Sequence, residues 1–316
     1  MSFTSDTKKE LLNIKTTQCC SVATLSSMLA ISGYLSLSSE GMRLVYQTTS
    51  LPIARKAISM IKSLYPITVD VLSKQSVRLQ KKNAYMMMIK EKVNLIIREL
   101  GLMDEEHGYG QTIDETIINK ECCKRSYLRG AFLAGGSINH PHSSSYHLEI
   151  ACPSFSYAQD LMELMNEFSL KTKVHEKKRG VLVYIKDSEK IADFLRITGA
   201  NNALLVYEDE RIKRDFVNSI TRVMNMEIAN QNKTFEAANK QLKNIEIIEK
   251  LLDETKLPKS VKEAMFLRKT YPEASLVELS EFSKQHYAKT ISKSGLNHRF
   301  RNINQLAKEA IESYEQ

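Results

Sequence analysis

The chain has 316 residues, of which 42% are hydrophobic and 26% are charged, with only 11 glycines and 6 prolines. This length and composition exclude a small protein held together by disulfides, a disordered chain and a fibrous chain. Lys and Arg outnumber Asp and Glu by 45 to 37, and the net charge of +8 favours an anionic partner such as nucleic acid or a membrane surface.

The N-terminal segment lacks the apolar core of a signal peptide. The sequence also has no uninterrupted apolar run of the roughly 20 residues that a membrane-spanning helix needs. Five cysteines, an odd number, are typical of a reducing compartment in which thiols stay free. We therefore expect a cytoplasmic protein that has no membrane partner.

An internal repeat organises the first two thirds of the chain. Residues 19–33 align without a gap with residues 122–136, and the cysteine pair, the first leucine and the last glycine coincide. Each segment is followed by a hairpin, an amphipathic helix, two alternating strands and a closing helix. The sequence therefore predicts an α+β fold in which two αββαββα repeats form a pseudo-two-fold unit.

The domain boundaries follow from this repeat and from the distribution of glycine and proline. The first repeat is predicted to span 1–103 and the second 119–203, with the glycine-containing, charged segment 104–118 as the connecting loop. Residues 204–256 contain no glycine or proline and carry many charges, which predicts a helical linker. The remaining segment, 257–316, is predicted to form a separate all-α domain.

Three short helices are predicted in this last domain. Pro272 ends the first helix, and Ser275 is a typical N-cap for the second. The third helix has an apolar stripe with polar and basic residues opposite it. That stripe consists of Leu296, Phe300, Ile303 and Leu306. This arrangement predicts a helix-turn-helix over about 275–309.

At this point the sequence resembles two known families. Residues 127–138, YLRGAFLAGGSI, resemble the LAGLIDADG helix of homing endonucleases, and residues 25–33 resemble a more decayed copy. Residues 225–234 and 292–301 are similar to the bacterial WhiA family, and this similarity extends over nearly the whole chain. The resemblance implies a degenerate homing-endonuclease scaffold joined to a helix-turn-helix. It also implies a DNA-binding regulator of cell division, chromosome segregation and, in spore formers, sporulation.

The acidic positions of the LAGLIDADG motif decide whether a nuclease is expected. An active enzyme of that family needs an acid just before the final glycine of each motif helix, because two carboxylates there hold the divalent ions. Those positions are Ser32 and Gly135, and neither supplies a carboxylate. We therefore expect no catalytic residues and no enzyme activity. Small residues along both motif helices favour close helix packing instead, namely Ser27, Gly130, Ala131 and Ala134.

The paired cysteines at 19–20 and 122–123 have two interpretations. Four thiolates bind Zn²⁺ when they converge as a tetrahedron. Neighbouring residues on a helix point about 100° apart, however, and structural zinc sites generally use a C-x₂₋₄-C spacing. The spacing favours the alternative, in which these cysteines are small packing residues at the heads of the two motif helices. We expect no metal and no cofactor.

Histidines in the second repeat suggest a second candidate metal site. His140 and His142 flank Pro141 beside a run of serines, and His147 and Glu149 follow shortly afterwards. Proline and serine at such a position are typical of a hairpin turn. We therefore favour an exposed loop over a metal site.

The long helix carries Arg211, Arg214, Arg222 and Lys233. These residues are expected to line either a DNA-facing surface or an interdomain surface. A charged helix that bridges two domains is equally expected without any ligand, so the sequence leaves both interpretations open.

The third helix of the helix-turn-helix carries the most specific functional prediction. A recognition helix presents its first turns to the major groove, where arginine pairs with guanine and asparagine with adenine. Arg299 and Asn302 are expected to reach the flanking DNA backbone. The predicted DNA-binding residues are Ser275, Lys293, Ser294, Asn297, His298, Arg299, Arg301 and Asn302. The predicted turn at 283–290 is longer than the usual three or four residues, and a three-helix bundle that binds protein is the alternative.

Basic residues also occur in the equivalent hairpins of the two repeats. In nucleases of this fold the strands form a saddle on DNA, so these charges are candidates for phosphate contacts. The candidate second DNA surface comprises Lys74, Arg78, Lys81, Lys82, Lys173, Lys177, Lys178 and Arg179. An ordinary solvated strand face explains them equally well.

These observations favour a non-catalytic protein that binds double-stranded DNA through its helix-turn-helix. We expect a cytoplasmic, nucleoid-associated monomer that regulates transcription and contacts division or transcription proteins. The alternatives are a metal-dependent DNA endonuclease and a protein-binding adaptor of the division machinery.

Overall fold

The computed structural model describes residues 2–39, 41–75, 83–104, 106, 108–178 and 180–314. The chain divides into two compact units, an N-terminal unit, Met1–Asp215, and a C-terminal unit, Phe216–Gln316. None of the helices within the described ranges is long and apolar enough to cross a membrane.

The N-terminal unit begins with helix α1 (Phe3–Leu12) and then repeats one arrangement of helices and strands twice. The first repeat contains α2 (Gln18–Ser32), β1 (Gly33–Ser38), β2 (Gly41–Thr48), α3 (Leu51–Leu64), β3 (Val69–Gln75), β4 (Asn83–Ile89) and α4 (Val93–Glu99). A two-stranded pair, β5 (Met103–Asp104) and β6 (Gly108–Tyr109), lies in the connecting loop. The second repeat contains α5 (Glu121–Gly135), β7 (Gly136–Ile138), β8 (Leu148–Cys152), α6 (Phe155–Glu167), β9 (Lys173–Lys177), β10 (Gly180–Ile185) and α7 (Ser188–Thr198).

Each repeat builds its own four-stranded antiparallel sheet, and the two sheets have the same strand order. The order is β1-β2-β4-β3 in the first sheet and β7-β8-β10-β9 in the second. Successive side chains along each strand point to opposite faces of the sheet, and one face of each sheet packs against the core. Leu44 pairs with Ile89 on that face, and both are fully buried. The predicted αββαββα repeat is thus confirmed.

Helices α2 and α5 pack side by side and join the two repeats. Their small residues permit a close approach of the two helices. The Thr24 hydroxyl on α2 donates a hydrogen bond to the carbonyl of Ser126 on α5 at 3.1 Å. A β-carbon on Gly130 would collide with the Ser27 hydroxyl and with the Thr24 carbonyl on the opposite helix. Glycine at 130 is therefore a requirement of the helix contact.

We expect Gly130→Ala to destabilise the N-terminal unit. The added methyl group must push α2 and α5 apart, at a cost of about 2 kcal/mol, although alanine normally favours a helix. Chemical unfolding of the full chain measures this loss. Gly295→Ala is the matched control, because its β-carbon would lie 3.3 Å from the Ser292 hydroxyl and 3.5 Å from Ile291 Cγ2. Equal stability of both variants would contradict the packing argument.

No element was predicted for the N-terminal residues, yet they form α1. Phe3 and Leu11 enter the core, and Ser2 caps the helix by accepting a hydrogen bond from the Ser5 amide at 3.3 Å. The Thr4 hydroxyl donates to the carbonyl of Ile138 at 2.8 Å and accepts from its amide at 3.0 Å. Helix α1 therefore completes the hydrogen bonding at the end of β7 in the second repeat.

The C-terminal unit is all-helical. The 51-residue helix α8 (Asn201–Leu251) runs through both units, and a short 3₁₀ helix, Glu254–Lys256, follows it. Three further helices complete the unit: α9 (Lys259–Thr270), α10 (Leu276–His286) and α11 (Lys293–Tyr314). The core of this unit contains Ile245, Ile248, Val261, Ala264, Leu267, Leu279, Leu296, Phe300 and Ile303. The last turns of α8 thus belong to the same core as α9, α10 and α11.

Candidate nucleic-acid interface

Helix α11 begins at a serine cap and packs on the other helices through one apolar side. The Gly295 amide donates a hydrogen bond to the Ser292 hydroxyl at 3.2 Å. Leu296, Phe300 and Ile303 are buried, as the spacing of the apolar residues predicted. The N-terminal turns of α11 therefore have a fixed orientation, with one side against the core and the other exposed.

The exposed side of these turns carries most of the predicted DNA-binding residues. Five of them lie within about 140° of the helix circumference, at about 100° per residue. We refer to Lys293, Ser294, Asn297, His298 and Arg301, all exposed, as the α11 face. Neither Lys293 nor Arg301 has an ion-pair partner among the residues that the structure describes. The α11 face thus presents donors and positive charge to the solvent.

Arg299 and Asn302, predicted to reach the DNA backbone, differ in their surroundings. Asn302 is exposed. The Arg299 guanidinium forms an ion pair with Glu263 at 2.7 Å and donates to the carbonyl of Ser260 at 3.3 Å. Both partners lie on α9, so Arg299 fixes α11 against α9.

Ser275, the remaining predicted DNA-binding residue, caps the N-terminus of α10. Its hydroxyl accepts from the Glu278 amide at 3.3 Å, while the Glu278 carboxylate accepts from the Ser275 amide at 2.7 Å. The hydrogen bond from the Ser275 amide, and after it one from the Ser275 side chain, lower the pKa of the Glu278 carboxyl below its usual value. The cap was expected from the sequence, and half-buried Ser275 has this local structural role.

The turn between α10 and α11 differs from the predicted one. Residues 283–286 were expected in the turn, but they are the last residues of α10, and the turn spans 287–292. The Ser283 hydroxyl accepts from the Ile291 amide at 2.9 Å, and the Ser280 hydroxyl donates to the Ile291 carbonyl at 2.6 Å. Two serines on α10 thus fix the end of the turn, which is still longer than the usual length.

Arg268 is a structural residue that the sequence analysis missed. It is only 2% exposed, and its guanidinium donates to Gln241 Oε1 at 2.9 Å and to the carbonyl of Ala274 at 2.5 Å. It also lies 5.4 Å from the centre of the Phe300 ring. The signal was present, because Val261, Ala264 and Arg268 follow one another at helical spacings. Burial lowers the pKa of Arg268 to about 10, so the side chain is charged at neutral pH.

The candidate second DNA surface is described only in part. Lys173, Lys177 and Lys178 are exposed, and Lys177 forms an ion pair with Glu149 at 3.2 Å. Lys173 and Lys177 are four residues apart on β9, so their side chains lie on the same, outer face of the second sheet. The side chain of Lys74 and all of Arg78, Lys81, Lys82 and Arg179 lie outside the described residues.

The candidate histidines of the second repeat differ in their surroundings. His140 and His142 are exposed in a turn, their rings stacked 5.2 Å apart, and His142 contacts Glu210 at 2.8 Å. His147 pairs with Glu149 at 3.2 Å. Within the described ranges, no group of three potential metal ligands includes any of them.

Two of the basic residues of α8 that were candidates for an interaction surface have partners within the N-terminal unit. The Arg214 guanidinium donates to the carbonyls of Ser143 at 2.8 Å and Ser144 at 2.6 Å. Arg211 pairs with Glu208 at 3.3 Å. Arg222 and Lys233 are exposed on the part of α8 that belongs to the C-terminal unit.

Known families match almost the whole chain. Residues 18–103 match the WhiA N-terminal LAGLIDADG-like domain, 124–217 the WhiA LAGLIDADG-like domain and 220–307 the WhiA C-terminal HTH domain. The "Probable cell division protein WhiA" of Bacillus pumilus is 43% identical over 309 residues, covering 98% of this chain and 97% of that protein. The chain belongs to the WhiA family. The relative of the same name from Bacillus velezensis is 42% identical over 309 residues, with the same coverage.

Solved WhiA structures have the same fold. Full-length WhiA from Thermatoga maritima has a TM-score of 0.57 at 21% sequence identity, covering 98% of this chain and 99% of that chain. The isolated N-terminal LAGLIDADG domain of WhiA has a TM-score of 0.50 at 21% identity, covering 63% of this chain and 90% of that chain. A LAGLIDADG-like body followed by a helix-turn-helix domain is thus the architecture of this WhiA-family chain.

The two positions that correspond to the acids of the LAGLIDADG motif lie at the C-terminal ends of the two central helices. Ser32 is the last residue of α2 and Gly135 the last of α5. A β-carbon on Gly135 would lie 2.5 Å from the carbonyl oxygen of Ala151 and 3.1 Å from Ile31 Cγ2. A carboxylate therefore does not fit at 135 unless the backbone moves.

The cysteine pairs lie at the opposite ends of the same two helices, and their spacing in the sequence did not predict that they form a cluster. The adjacent cysteines were expected to point apart. Instead, the four sulfur atoms all lie within 4.8 Å of one another, and they belong to Cys19, Cys20, Cys122 and Cys123. The cause is the parallel packing of α2 and α5, which brings both first turns together. We refer to these four residues as the thiol cluster; a hydrogen bond from the Thr17 hydroxyl lowers the pKa of Cys19 to about 7.

Proposed function

We propose that this WhiA-family chain is a non-catalytic protein that binds double-stranded DNA sequence-specifically and regulates transcription of genes for cell division. The α11 face is the observation that carries this proposal. Its side chains are exposed, carry positive charge and are of the types that pair with base edges in the major groove. They lie in the first turns of α11, and a helix-turn-helix inserts the first turns of its recognition helix into that groove. The family contributes the role in division, since its curated members are described as probable cell division proteins.

The residues of the α11 face receive separate roles in the proposal. Asn297 and Arg301, one turn apart, pair with adenine and guanine edges, because an amide and a guanidinium form bidentate bonds with those bases. Lys293, Ser294 and His298 contact phosphates. Exposed Asn302 reaches the flanking backbone, and the capped N-terminus of α10 at Ser275 faces a phosphate through its amides.

We further propose that the protein acts as a cytoplasmic, nucleoid-associated monomer. Its pseudo-two-fold body already contains the two repeats that a homodimer would otherwise supply. Roles in chromosome segregation and, in spore formers, sporulation extend the same regulatory function. Contacts with division or transcription proteins are assigned to the LAGLIDADG-like body.

A salt series on the full chain tests where DNA binds. Lys293→Ala with Arg301→Ala removes one phosphate contact and one base contact, so we expect affinity for duplex DNA to fall about tenfold or more and the salt slope to decrease by about 1, because only Lys293 is assigned to a phosphate. The matched variant, Lys173→Ala with Lys177→Ala, removes two charges from β9. It is expected to change affinity by less than about threefold, because these lysines only supplement the main contact.

The reverse result would place the DNA on the sheet of the second repeat and contradict the proposal. Binding that neither variant changes would favour the adaptor function. Incubation of plasmid with pure protein and Mg²⁺ or Mn²⁺ tests the endonuclease alternative. We expect no cleavage, since Ser32 and Gly135 supply no carboxylate and a side chain at 135 meets the Ala151 carbonyl.

A further inference from the structure

The thiol cluster joins the two repeats at one end of the α2–α5 contact. Each pair of cysteines lies in the first turn of its helix, directly after Gln18 in α2 and directly after Glu121 in α5. Cys20 and Cys123 are buried, whereas Cys19 is half-buried and Cys122 is exposed. The cluster is therefore built into the helix contact and remains open to solvent on one side.

The spacing of the sulfurs matches a tetrahedral thiolate site. Zinc–sulfur bonds of about 2.3 Å place the sulfurs of a tetrahedron about 3.8 Å apart. In the cluster, Cys122 Sγ and Cys123 Sγ are 4.0 Å apart, and all four sulfurs lie within 4.8 Å of one another. Small side-chain rotations close the remaining difference. A disulfide joins only two sulfurs at about 2.05 Å and does not explain why four converge.

The helix termini favour negative charge at this place. Thr17 and Lys120, the N-cap residues, form no side-chain cap on α2 or α5. The positive end of each helix dipole and its first amides are thus available to stabilise thiolates. Two such helix ends meet at the cluster. The contact is held by the buried Thr24–Ser126 hydrogen bond one turn further along.

We propose that Cys19, Cys20, Cys122 and Cys123 bind one Zn²⁺ as a structural tetrathiolate site that joins the two LAGLIDADG-like repeats. Each thiol that binds does so as the thiolate and releases its proton to solvent, so the site carries a net charge of −2. Closing four protein ligands around the metal leaves no position for water, which makes the site structural. The proposal is independent of DNA binding, since none of its residues lies in the C-terminal unit.

Metal analysis of the full chain tests the site. Protein purified in a phosphine reductant and supplied with Zn²⁺ is expected to retain one zinc ion per chain after gel filtration. Stripped protein titrated with Co²⁺ is expected to develop the visible and near-ultraviolet bands of tetrahedral cobalt–thiolate coordination at one equivalent. Zinc is expected to displace the cobalt and to raise the thermal unfolding temperature above that of the stripped protein.

Two variants, each with one cysteine replaced by serine, are compared for their zinc binding. Cys20→Ser is expected to weaken zinc binding by at least about a hundredfold, since the loss of an outer hydrogen-bond partner alone costs up to about that much. Cys152→Ser is the matched control, because Cys152 is also buried but lies on β8 outside the cluster, and it should keep one zinc ion. The cobalt titration uses the unaltered sequence, so a folding failure of Cys20→Ser does not affect it. Absence of zinc retention and of cobalt–thiolate bands would overturn the proposal.

Discussion

Replacing Arg268 with Met is expected to destabilise the C-terminal unit strongly and thereby to weaken DNA binding. The guanidinium of Arg268 satisfies Gln241 on α8 and the Ala274 carbonyl before α10. Methionine fills much of the volume but donates no hydrogen bond, so these partly buried acceptors lose their partner. At about 1 to 3 kcal/mol for each unsatisfied group, we expect a loss of roughly 3 to 5 kcal/mol.

Chemical unfolding of the full chain, followed through the C-terminal unit, measures this effect. Arg268→Lys is expected to lower stability nearly as much. The planar guanidinium reaches several separated acceptors at once, whereas the compact ammonium group of lysine does not. Lys269→Ala is the matched neighbour. Its ammonium pairs with Glu249 at 2.7 Å but is half-exposed, so its loss should cost less than about 1 kcal/mol. If Arg268→Met and Lys269→Ala were equally stable, Arg268 would not organise this unit.

The second large effect concerns sequence preference. Asn297→Ala combined with Arg301→Ala removes both side chains assigned to base edges while leaving Lys293 and the helix contacts in place. Each lost bidentate pair is expected to cost about 1 to 3 kcal/mol of discrimination. The variant should therefore bind its selected site and random duplex with nearly equal affinity.

Selection of duplexes from a random pool by the full chain, followed by competition binding, measures this preference. Arg299→Ala is the informative control, because Arg299 contacts Glu263 at 2.7 Å and lies away from the exposed side. It should lower the stability of the C-terminal unit and leave the preferred sequence unchanged. A preferred sequence that persists in Asn297→Ala with Arg301→Ala would assign base reading to other residues.

The repeat could be predicted because its evidence is local. Helical spacing, strand alternation and the paired cysteines are each visible within a short window, and they define αββαββα twice. The stripe of Leu296, Phe300 and Ile303 likewise predicted which side of α11 is buried. These features depend on neighbouring residues along the chain, so no knowledge of distant contacts was needed.

The remaining features depend on contacts between segments that are distant in sequence. The thiol cluster requires that the first turns of α2 and α5 meet, which no spacing within one helix reveals. Arg299 was expected to reach the DNA backbone, and its pairing with Glu263 depends on the contact between α11 and α9. The boundary of α10 was misplaced because the end of the turn is fixed by hydrogen bonds between Ile291 and two serines of α10, Ser280 as donor and Ser283 as acceptor, and no glycine or proline marks it.

Lysine footprinting of the full chain tests most directly whether the α11 face is the DNA-binding surface. Acetylation rates are measured by mass spectrometry with and without the selected duplex. Lys293, and Lys289 in the preceding turn, are both exposed and should be strongly protected by DNA. Lys308, exposed further along the same helix, should react at an unchanged rate. Protection of Lys173 and Lys177 with unchanged reactivity of Lys289 and Lys293 would show that the LAGLIDADG-like body binds the DNA.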